Sequence, residues 1–336
     1  MKKRSHRADK MARVYDDEIL PIWSHRFGRM LLRDLELPPK AMVLDVACGT
    51  GYPALELLNL MQGQGRIVAI ESMGALLDVA RQKAGALSGK RIFFRSEPAT
   101  AKLAFASEVY DLVVSNLGLL EREDPAEALK ELARVTKAGG RVIVTLPLLG
   151  SFAEFYDIYR EVLVKNDKHE ALERLERHIL ETPDAEQAAR WMEQSGLEDV
   201  QVEMEEFNLL FQSAREFFFA PVIEYGPLTA WKEVIGKGQE MQDIFWQIKE
   251  AIDAYFGERA FGVTIKAGCL RGRKGEQPAE ATRPPLDSVD RTPSLEVVAA
   301  VTGTGPEQRP AAAAGPGPGP GKDFHLDEDE ESHEGE

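Results

Sequence analysis

Residues 43–51 constrain the fold of this 336-residue chain more than any other stretch. They read Val-Leu-Asp-Val-Ala-Cys-Gly-Thr-Gly, an apolar run that ends in a glycine-rich turn. Such a run is typical of a strand buried in a parallel sheet. Glycines let the backbone turn tightly and approach a ligand, and a helix predicted after the turn would direct unpaired N–H groups towards it. The stretch predicts a strand–turn–helix corner that binds a ligand, with a purely structural corner as the alternative.

An acidic residue ends the next predicted strand. Residues 66–70 read Arg-Ile-Val-Ala-Ile, and Glu71 follows directly. An acid about 20 residues after a glycine turn, at the tip of the second strand, is placed to bind both hydroxyls of a ribose. The alternative for Glu71 is a solvated strand end. The dinucleotide pattern Gly-x-Gly-x-x-Gly is not met, because Ala54 stands at its last position, and this disfavours a nicotinamide dehydrogenase.

Together these motifs resemble the class I S-adenosylmethionine-dependent methyltransferases. The resemblance starts with Asp45-x-Ala47-x-Gly49-x-Gly51 and the acid Glu71. It continues through Ala80-Arg81, through Tyr-Asp-Leu-Val-Val-Ser-Asn at 110–116, and through the helix and Gly-Gly turn of 129–140. It covers roughly residues 14–270, and the motifs are specific as a set rather than singly.

The resemblance implies an S-adenosylmethionine site, no metal, and no assignable catalytic residue. The cofactor-binding positions that it implies are Asp45, Ala47, Gly49, Gly51, Glu71, Ser72, Met73, Glu97 and Asn116. The chain departs from the family pattern at Ala47, where a glycine is usual, and at Ala138, where a proline is usual. Glu97 lies six residues before Leu103, whereas the family's adenine-binding acid lies four before its leucine, so either Glu97 or another group contacts the adenine.

The order of predicted elements defines the fold class. Strands are predicted at 42–46, 66–70, 91–95, 110–115, 141–146, 201–205 and 261–270, with helices between most of them. This alternation predicts an α/β fold with a doubly wound, mostly parallel seven-stranded sheet, the Rossmann-like fold of the resembled family. Ligands of such sheets bind beyond the carboxyl ends of the strands, where Asp45, Glu71 and Asn116 fall.

The chain divides into three predicted regions. Residues 1–37 form an N-terminal helical segment, with a frayed charged end at 1–13 and a helix near 20–35 that closes over the cofactor as in the resembled family. Residues 38–271 form the methyltransferase domain. Its insertion at 211–258 is rich in aromatic residues. The resemblance implies that this insertion is a helical cap that faces the substrate; the alternative is that its aromatic side chains are only the core of the cap.

Residues 272–336 are predicted to be a disordered acidic tail. They include an Ala-rich stretch followed by Gly-Pro repeats and an acidic run from Asp327 to the end, and they carry −8 of the formal charge of −15. A segment of this composition cannot bury enough apolar surface to offset its ordering entropy. Its acidic end serves solubility or recruits a basic protein partner, and the sequence leaves both open.

Composition narrows the classes of partner and compartment. Without the tail the chain is only moderately acidic, which argues against a nucleic-acid substrate because phosphate binding needs clustered Lys and Arg. No run of about 18 apolar residues or signal peptide is evident, so we expect no membrane partner. Two cysteines, Cys48 and Cys269, are too few for a disulfide framework or a zinc site, and a cytoplasmic location is expected.

The sequence thus predicts a methyltransferase that uses S-adenosylmethionine and a small, apolar or aromatic acceptor. A sulfonium methyl is already a strong electrophile, so the protein has mainly to position and desolvate the reactants. Asn116, Tyr156, Glu224 and Tyr225 are candidate pocket residues, Tyr15 and His25 could also line the pocket, and no general base stands out. The alternative from another class is a non-catalytic S-adenosylmethionine-binding regulatory or scaffold protein that recruits a partner through its acidic tail.

Overall fold

Seven strands form a single sheet in the computed structural model, which describes residues 6–62, 64–97, 102–120, 124–257 and 259–276. They are β1 (Met42–Val46), β2 (Arg66–Glu71), β3 (Ile92–Ser96), β4 (Tyr110–Asn116), β5 (Thr136–Pro147), β6 (Leu197–Phe211) and β7 (Phe261–Lys274). All seven were predicted from the sequence, and the last three are longer than predicted. The additional length of β6 and β7 comes from their pairing along almost their whole length.

The order of the strands is β3-β2-β1-β4-β5-β7-β6. The first five strands in this order are parallel to one another, and β7 runs antiparallel between β5 and β6. This confirms the doubly wound, mostly parallel sheet. The carboxyl ends of β1, β2, β4 and β5 therefore meet at one edge, where open α/β sheets bind their ligands.

Helices cover both faces of the sheet and one end of it. The described residues contain α1 (His6–Val14), α2 (Ser24–Leu32), α3 (Ala54–Leu60), α4 (Gly74–Ala84), α5 (Pro125–Val135), α6 (Ala153–Lys165), α7 (His169–Leu180), α8 (Ala185–Gln194), α9 (Ala214–Phe219), α10 (Pro221–Glu224), α11 (Leu228–Ile235) and α12 (Gln239–Phe256). A π-helical turn, Tyr15–Ile19, separates α1 from α2.

The period-two alternation of side chains builds two apolar cores, one on each face of the sheet. Along β1, Val43 joins the larger core, to which α2, α3, α6 and the helices after β6 contribute. Leu44 and Val46 join the smaller core, formed with α5 and α8. Because both faces are buried, the central strands read as unbroken apolar runs, which is why they could be found in the sequence.

The N-terminal segment differs from its prediction. Residues 6–13 were expected to fray, but they belong to α1, whose Ala12 is buried against Ala75 and Leu76 of α4. The following helix begins at Ser24 rather than near residue 20, because the π-helical turn occupies Tyr15–Ile19. The charged composition of residues 6–13 gave no sign of this contact with α4, because the contact forms only in the folded chain.

Two groups of helices lie at the carboxyl edge of the sheet. The first, α6 and α7, follows β5, and the second, α9 to α12, connects β6 to β7 within the predicted insertion. The sequence predicted α6 and α12 but not α7. Ser151 and Glu154 resemble a capping box, yet Ser151 Oγ accepts from the Lys266 amide at 3.0 Å and Glu154 accepts from the Thr264 amide at 2.8 Å. These residues attach α6 to β7 instead of capping it.

The described structure ends shortly after the last strand. β7 continues to Lys274, and the predicted disordered tail beyond residue 276 lies outside the described residues. None of the helices in the described part of the chain combines the length and apolar character needed to cross a membrane.

Candidate active site

The glycine turn after β1 adopts backbone conformations that few residues tolerate. Ala47 has φ of +62°, Gly49 of +53° and Gly51 of +102°. A Cβ at Gly49 would lie 3.1 Å from the hydroxyl oxygen and 3.2 Å from a ring carbon of Tyr15. A Cβ at Gly51 would instead meet Leu55 and Ala80 at 3.3 and 3.4 Å. Because Gly49 has no Cβ, the Tyr15 side chain can lie over the turn. Because Gly51 has none, α3 and α4 can pack closely beside it.

Glu71 ends β2 beside this turn. Its carboxylate accepts hydrogen bonds from the Gly49 amide at 3.1 Å, the Ser72 hydroxyl at 3.1 Å and the Met73 amide at 3.0 Å. The carboxylate therefore connects the ends of two adjacent parallel strands. The contacts orient it at the sheet edge, where it is available to further donors because each carboxylate oxygen accepts more than one hydrogen bond.

Asp45 lies beneath the turn and is fully buried. Neither of its carboxylate oxygens has a hydrogen-bond partner among the described residues. Burial is the main cause that raises the pKa of Asp45 to about 8; the nearby Ala54 amide opposes this rise, and the negative charge of Glu71 adds to it by less. An unpaired buried carboxyl of this kind is held in its neutral form near neutral pH unless a positive charge approaches it.

The N-terminal segment lies over the turn and is attached to it by polar contacts. Asp16 in the π-helical turn accepts from the Thr50 hydroxyl at 2.5 Å and from the ammonium group of Lys83. At the end of β4, the Asn116 amide donates to the Ser24 carbonyl oxygen at 3.1 Å and accepts from the Thr145 hydroxyl at 2.7 Å. These contacts place α1 and α2 across the carboxyl ends of the central strands.

A cavity of about 450 Å³ lies between the turn, the N-terminal segment and the two groups of cap helices. This volume is within the range of small-molecule sites, roughly 300–1,000 Å³. The wall at the sheet edge is formed by Ala47, Gly49, Glu71, Ser72, Met73, Asn116 and Leu117. The wall at the cap is formed by Pro147, Ser151, Phe152, Tyr156, His178, Thr182, Val222, Tyr225, Gly226 and Pro227, and the N-terminal segment completes the enclosure.

Six of the nine positions implied by the resemblance line this cavity: Ala47, Gly49, Glu71, Ser72, Met73 and Asn116. Asp45 and Gly51 lie behind the turn. Glu97, at the end of β3, forms an ion pair with Arg95 at 2.7 Å, and the Arg95 guanidinium stacks 4.7 Å from the centre of the Phe105 ring. Residues 98–101 of that loop are outside the described residues, so the adenine contact of Glu97 stays a prediction.

Some of the other pocket candidates also line the cavity, and others do not. Tyr15, Tyr156 and Tyr225 line the cavity, whereas His25 packs against Tyr52 with ring centres 4.4 Å apart. Trp231 of the insertion is fully buried; its ring stacks 4.1 Å from that of Phe155 and its indole N–H donates to the Tyr156 hydroxyl at 3.0 Å. The insertion therefore has a core of its own and also contributes residues to the cavity.

Two residues of the cavity wall, His178 and Thr182, were not among the pocket candidates from the sequence. His178 lies in α7, a helix that was not predicted. A signal was present in the spacing Ala171, Leu175 and His178, in which a histidine continues the buried stripe of an amphipathic helix. Nδ1 of His178 lies 3.2 Å from a carboxylate oxygen of Glu181. In the part of the chain described, no group of His, Cys, Asp and Glu side chains is arranged to hold a metal ion.

Comparisons with known proteins agree with this architecture. The ubiE/COQ5 methyltransferase family model matches residues 2–210, which excludes helices α9 to α12 and β7. The chain is 32% identical to a demethylmenaquinone methyltransferase of Mycolicibacterium paratuberculosis over 199 residues, which is 57% of this chain and 80% of that protein. It is 28% identical to a Bacillus cereus protein of the same name over 206 residues, which is 58% of this chain and 86% of that protein.

A solved structure supports the fold. The YcgJ protein of Bacillus subtilis superposes on this chain with a TM-score of 0.50 at 16% identity, over 75% of this chain and all of that one. At this identity the likeness concerns the fold alone. The family match spans the glycine turn, Glu71 and the first group of cap helices, and it agrees with the resemblance noted in the sequence. The chain belongs to the ubiE/COQ5 methyltransferase family, within the class I S-adenosylmethionine-dependent methyltransferases.

Proposed function

We propose that this protein transfers the methyl group of S-adenosylmethionine to a small aromatic acceptor of the naphthoquinol class. The observation that carries the proposal is the single cavity, which joins the glycine turn and Glu71 to an aromatic-lined wall of the cap. The wall at the sheet edge offers polar groups suited to a nucleoside, and the wall at the cap offers apolar surface suited to a planar ring.

The residues at the sheet edge fit the cofactor. Glu71 accepts hydrogen bonds from the ribose hydroxyls, and Ala47 and Gly49 of the turn form the wall beside the methionyl part. Ser72 and Met73 continue the wall beside Glu71, and Asn116 borders the site at the end of β4. The buried, unpaired carboxyl of Asp45 favours the approach of a cationic ligand, because a positive charge above the turn would stabilise its ionised form.

When bound, S-adenosylmethionine supplies an electrophilic methyl group. The chain has then to hold the acceptor in line with that methyl group and to exclude water. The π-helical turn and α2 cover the turn side, and α6, α10 and the start of α11 cover the other side. These elements order and desolvate the two reactants, which is the main requirement for this reaction.

The cap wall and the relatives support the choice of acceptor. Phe152, Tyr156, Pro147 and Val222 offer flat apolar surface, and Tyr225 extends it towards solvent. The relatives at 32% and 28% identity are named for demethylmenaquinone. We infer that the reduced, quinol form is bound, because a quinone ring is electron-poor whereas a quinol is a nucleophile.

The scaffold alternative lacks a supporting observation. It rests on the altered Glu97 loop and on the acidic tail, and both are partly or wholly outside the described residues. The relatives named above carry the names of enzymes. An enclosed, aromatic-lined compartment beside the cofactor wall is what an enzyme needs and a scaffold does not.

The test is a methyl-transfer assay on the full chain. The purified protein is incubated with S-adenosylmethionine and chemically reduced demethylmenaquinol, and the products are identified by mass spectrometry. We expect S-adenosylhomocysteine and an acceptor heavier by one methylene unit, with no product from the oxidised quinone. Cofactor binding without turnover of quinols or simple phenols would favour the scaffold alternative. Absence of cofactor binding would refute the cofactor assignment.

A further inference from the structure

The proposed reaction needs a base that the sequence did not reveal. A quinol reacts as a nucleophile once a ring hydroxyl has lost its proton, so a proton acceptor must be within hydrogen-bond reach of the acceptor. The groups of the cavity wall that can exchange a proton are Tyr15, Glu71, Tyr156, His178 and Tyr225. The base must therefore be one of these residues.

Four of these groups are unsuited to the task. A phenol hydroxyl carries its proton in neutral solution, and burial raises the pKa of Tyr156 further. The Glu71 carboxylate accepts the amides of Gly49 and Met73 at the opposite wall, where the ribose is proposed to bind. Among the described residues that line the cavity, the imidazole of His178 is left as the candidate for the base.

We propose that His178 is the general base of this enzyme and that Glu181 is its positioning residue, an inference that rests on the proposed function. The Nδ1 atom of His178 lies 3.2 Å from Oε2 of Glu181. A carboxylate only accepts hydrogen bonds, so Nδ1 must be the protonated nitrogen that donates to Glu181, and this fixes the tautomer in which Nε2 has the lone pair. His178 is a quarter exposed and Glu181 three quarters exposed, so the imidazole lies inward of the carboxylate.

Tyr156 completes the arrangement on the same wall. Its ring meets that of His178 edge to face, with ring centres 6.5 Å apart and an interplanar angle of 73°. Its hydroxyl oxygen accepts the indole N–H of the buried Trp231 at 3.0 Å, which leaves the phenol proton for an acceptor other than Trp231. The oxygen of the quinol that has lost its proton to His178 can accept a hydrogen bond from the Tyr156 hydroxyl. This hydrogen bond would stabilise the negative charge on that oxygen.

The proton transfer balances without a further reactant. Nε2 of His178 takes the proton of a ring hydroxyl, and the electron pair of the broken O–H bond stays on the acceptor as an oxyanion. The charge delocalises into the ring and makes it nucleophilic towards the methyl group. On methyl transfer a bond forms between the methyl group and a ring carbon, and the electron pair of the broken C–S bond stays on sulfur. That ring carbon then loses its hydrogen as a proton to water, which restores the aromatic ring. The imidazolium returns its proton to the ring oxygen, and the neutral base is regenerated.

The first test compares three variants of the full chain in the quinol assay. His178→Gln should lower kcat by about 10²–10⁴-fold, the range for loss of a general base, and leave cofactor affinity unchanged. Glu181→Gln should lower kcat by less and leave KM unchanged. His169→Gln, a change of the exposed histidine at the start of the same helix, is the matched control and should behave as the wild-type protein. Wild-type kcat in His178→Gln would overturn the proposal.

A second test needs neither cofactor nor turnover. The probe is 4-nitrophenol, whose phenolate absorbs at longer wavelength than the phenol. At a pH where the free probe is mostly protonated, binding to the wild-type protein should increase the phenolate band, and binding to His178→Gln should not. An equal band in both proteins, or no binding by the wild-type protein, would overturn the proposal. If the wild-type protein does not methylate the quinol, the 4-nitrophenol measurement still shows whether His178 acts as a base. A failure of the proposed function can therefore be distinguished from a failure of the proposed base.

Discussion

At the scale of single residues, the constraints concentrate where β1 and β2 end. Ala47 and Gly49 adopt positive φ, Asp45 is buried without a partner, and Glu71 bridges the two strand ends through the Gly49 amide. Each feature costs stability or restricts the residue type. Their coincidence at one edge of the sheet is expected of a ligand site rather than of a simple corner.

The first prediction at this scale concerns Glu71. Glu71→Ala should weaken S-adenosylmethionine binding at least about tenfold, because even one lost hydrogen bond to a charged group contributes roughly 1.5 kcal/mol. Glu71→Gln, which keeps acceptors but loses the charge, should give an intermediate affinity. Titration calorimetry measures both, and thermal unfolding controls for folding. Unchanged affinity in Glu71→Ala would refute the ribose assignment.

The second prediction concerns Asp45 and pH. Its pKa is raised to about 8 in the folded chain, against about 4 when unfolded. Between these values the folded chain holds a proton that the unfolded chain releases, so the free energy of unfolding should fall as pH rises through this window. Asp45→Asn should remove that part of the pH dependence. Urea unfolding of the ligand-free protein across the window provides the measurement, and an unchanged slope in the variant would contradict it.

At the scale of elements, some side chains of the cap form its own core and others line the cavity. Trp231 lies in an aromatic cluster with Phe155 and Phe217, and the Tyr159 hydroxyl donates to its carbonyl oxygen at 2.8 Å. Tyr225, in the turn before α11, is 49% exposed and borders the cavity. The two residues lie in one insertion, but only Tyr225 is free to meet an acceptor.

Trp231→Ala should therefore act on stability. Truncation of a fully buried tryptophan removes about 3–5 kcal/mol from the free energy of unfolding, because it leaves a cavity in the cluster. Trp231→Phe keeps the stacking surface and loses only the hydrogen bond to Tyr156, which contributes about 1 kcal/mol. Denaturant unfolding distinguishes the two variants. Equal stability of Trp231→Ala and the wild-type protein would show that the cluster does not hold the cap.

Tyr225→Ala should act on the acceptor. We expect a higher KM for the quinol with unchanged cofactor affinity and stability, because Tyr225 belongs to the cap wall. Tyr255→Ala is a matched control, since Tyr255 lies in α12, is 50% exposed and does not line the cavity. Steady-state kinetics with varied quinol give the result. Loss of cofactor binding in a folded Tyr225→Ala protein would show that the cap wall is wrongly assigned.

At the scale of the whole molecule, the sheet ends in an antiparallel pair that closes the domain. Gly272 pairs with Val142, and the Lys274 ammonium donates to the Thr136 carbonyl oxygen at 2.9 Å. The domain boundary that composition predicted after residue 271 therefore falls inside β7. The residues that follow β7 are those whose composition predicts a tail.

Two truncations test this boundary. A chain that ends at residue 276 should unfold at the same temperature as the full chain, because it retains β7 and lacks only the predicted tail. A chain that ends at residue 271 should unfold at a lower temperature, because it loses the pairing of Gly272 to Lys274 with β5 and β6. Thermal unfolding followed by circular dichroism compares the three. A large loss in the longer truncation would mean that the tail stabilises the domain.

The sequence by itself determined the sheet and the wall of the site that the sheet carries. Buried parallel strands need unbroken apolar runs, and a tight turn at a strand end needs glycine, so β1, β2, Gly49 and Glu71 were all evident from local patterns. Six of the positions proposed to bind the cofactor line the cavity for this reason.

Only the tertiary structure decided which side chains of the helices line the cavity. Tyr156 and His178 lie on consecutive helices after β5, whereas Tyr225 comes from the insertion before β7, and their meeting depends on how these helices pack. The position of Trp231 could not be predicted from the sequence either, because the same sequence pattern is found for an aromatic residue that fills a core and for one that lines a pocket. The physical reason is that helix packing depends on contacts between residues distant in the chain, whereas strand and turn patterns are local.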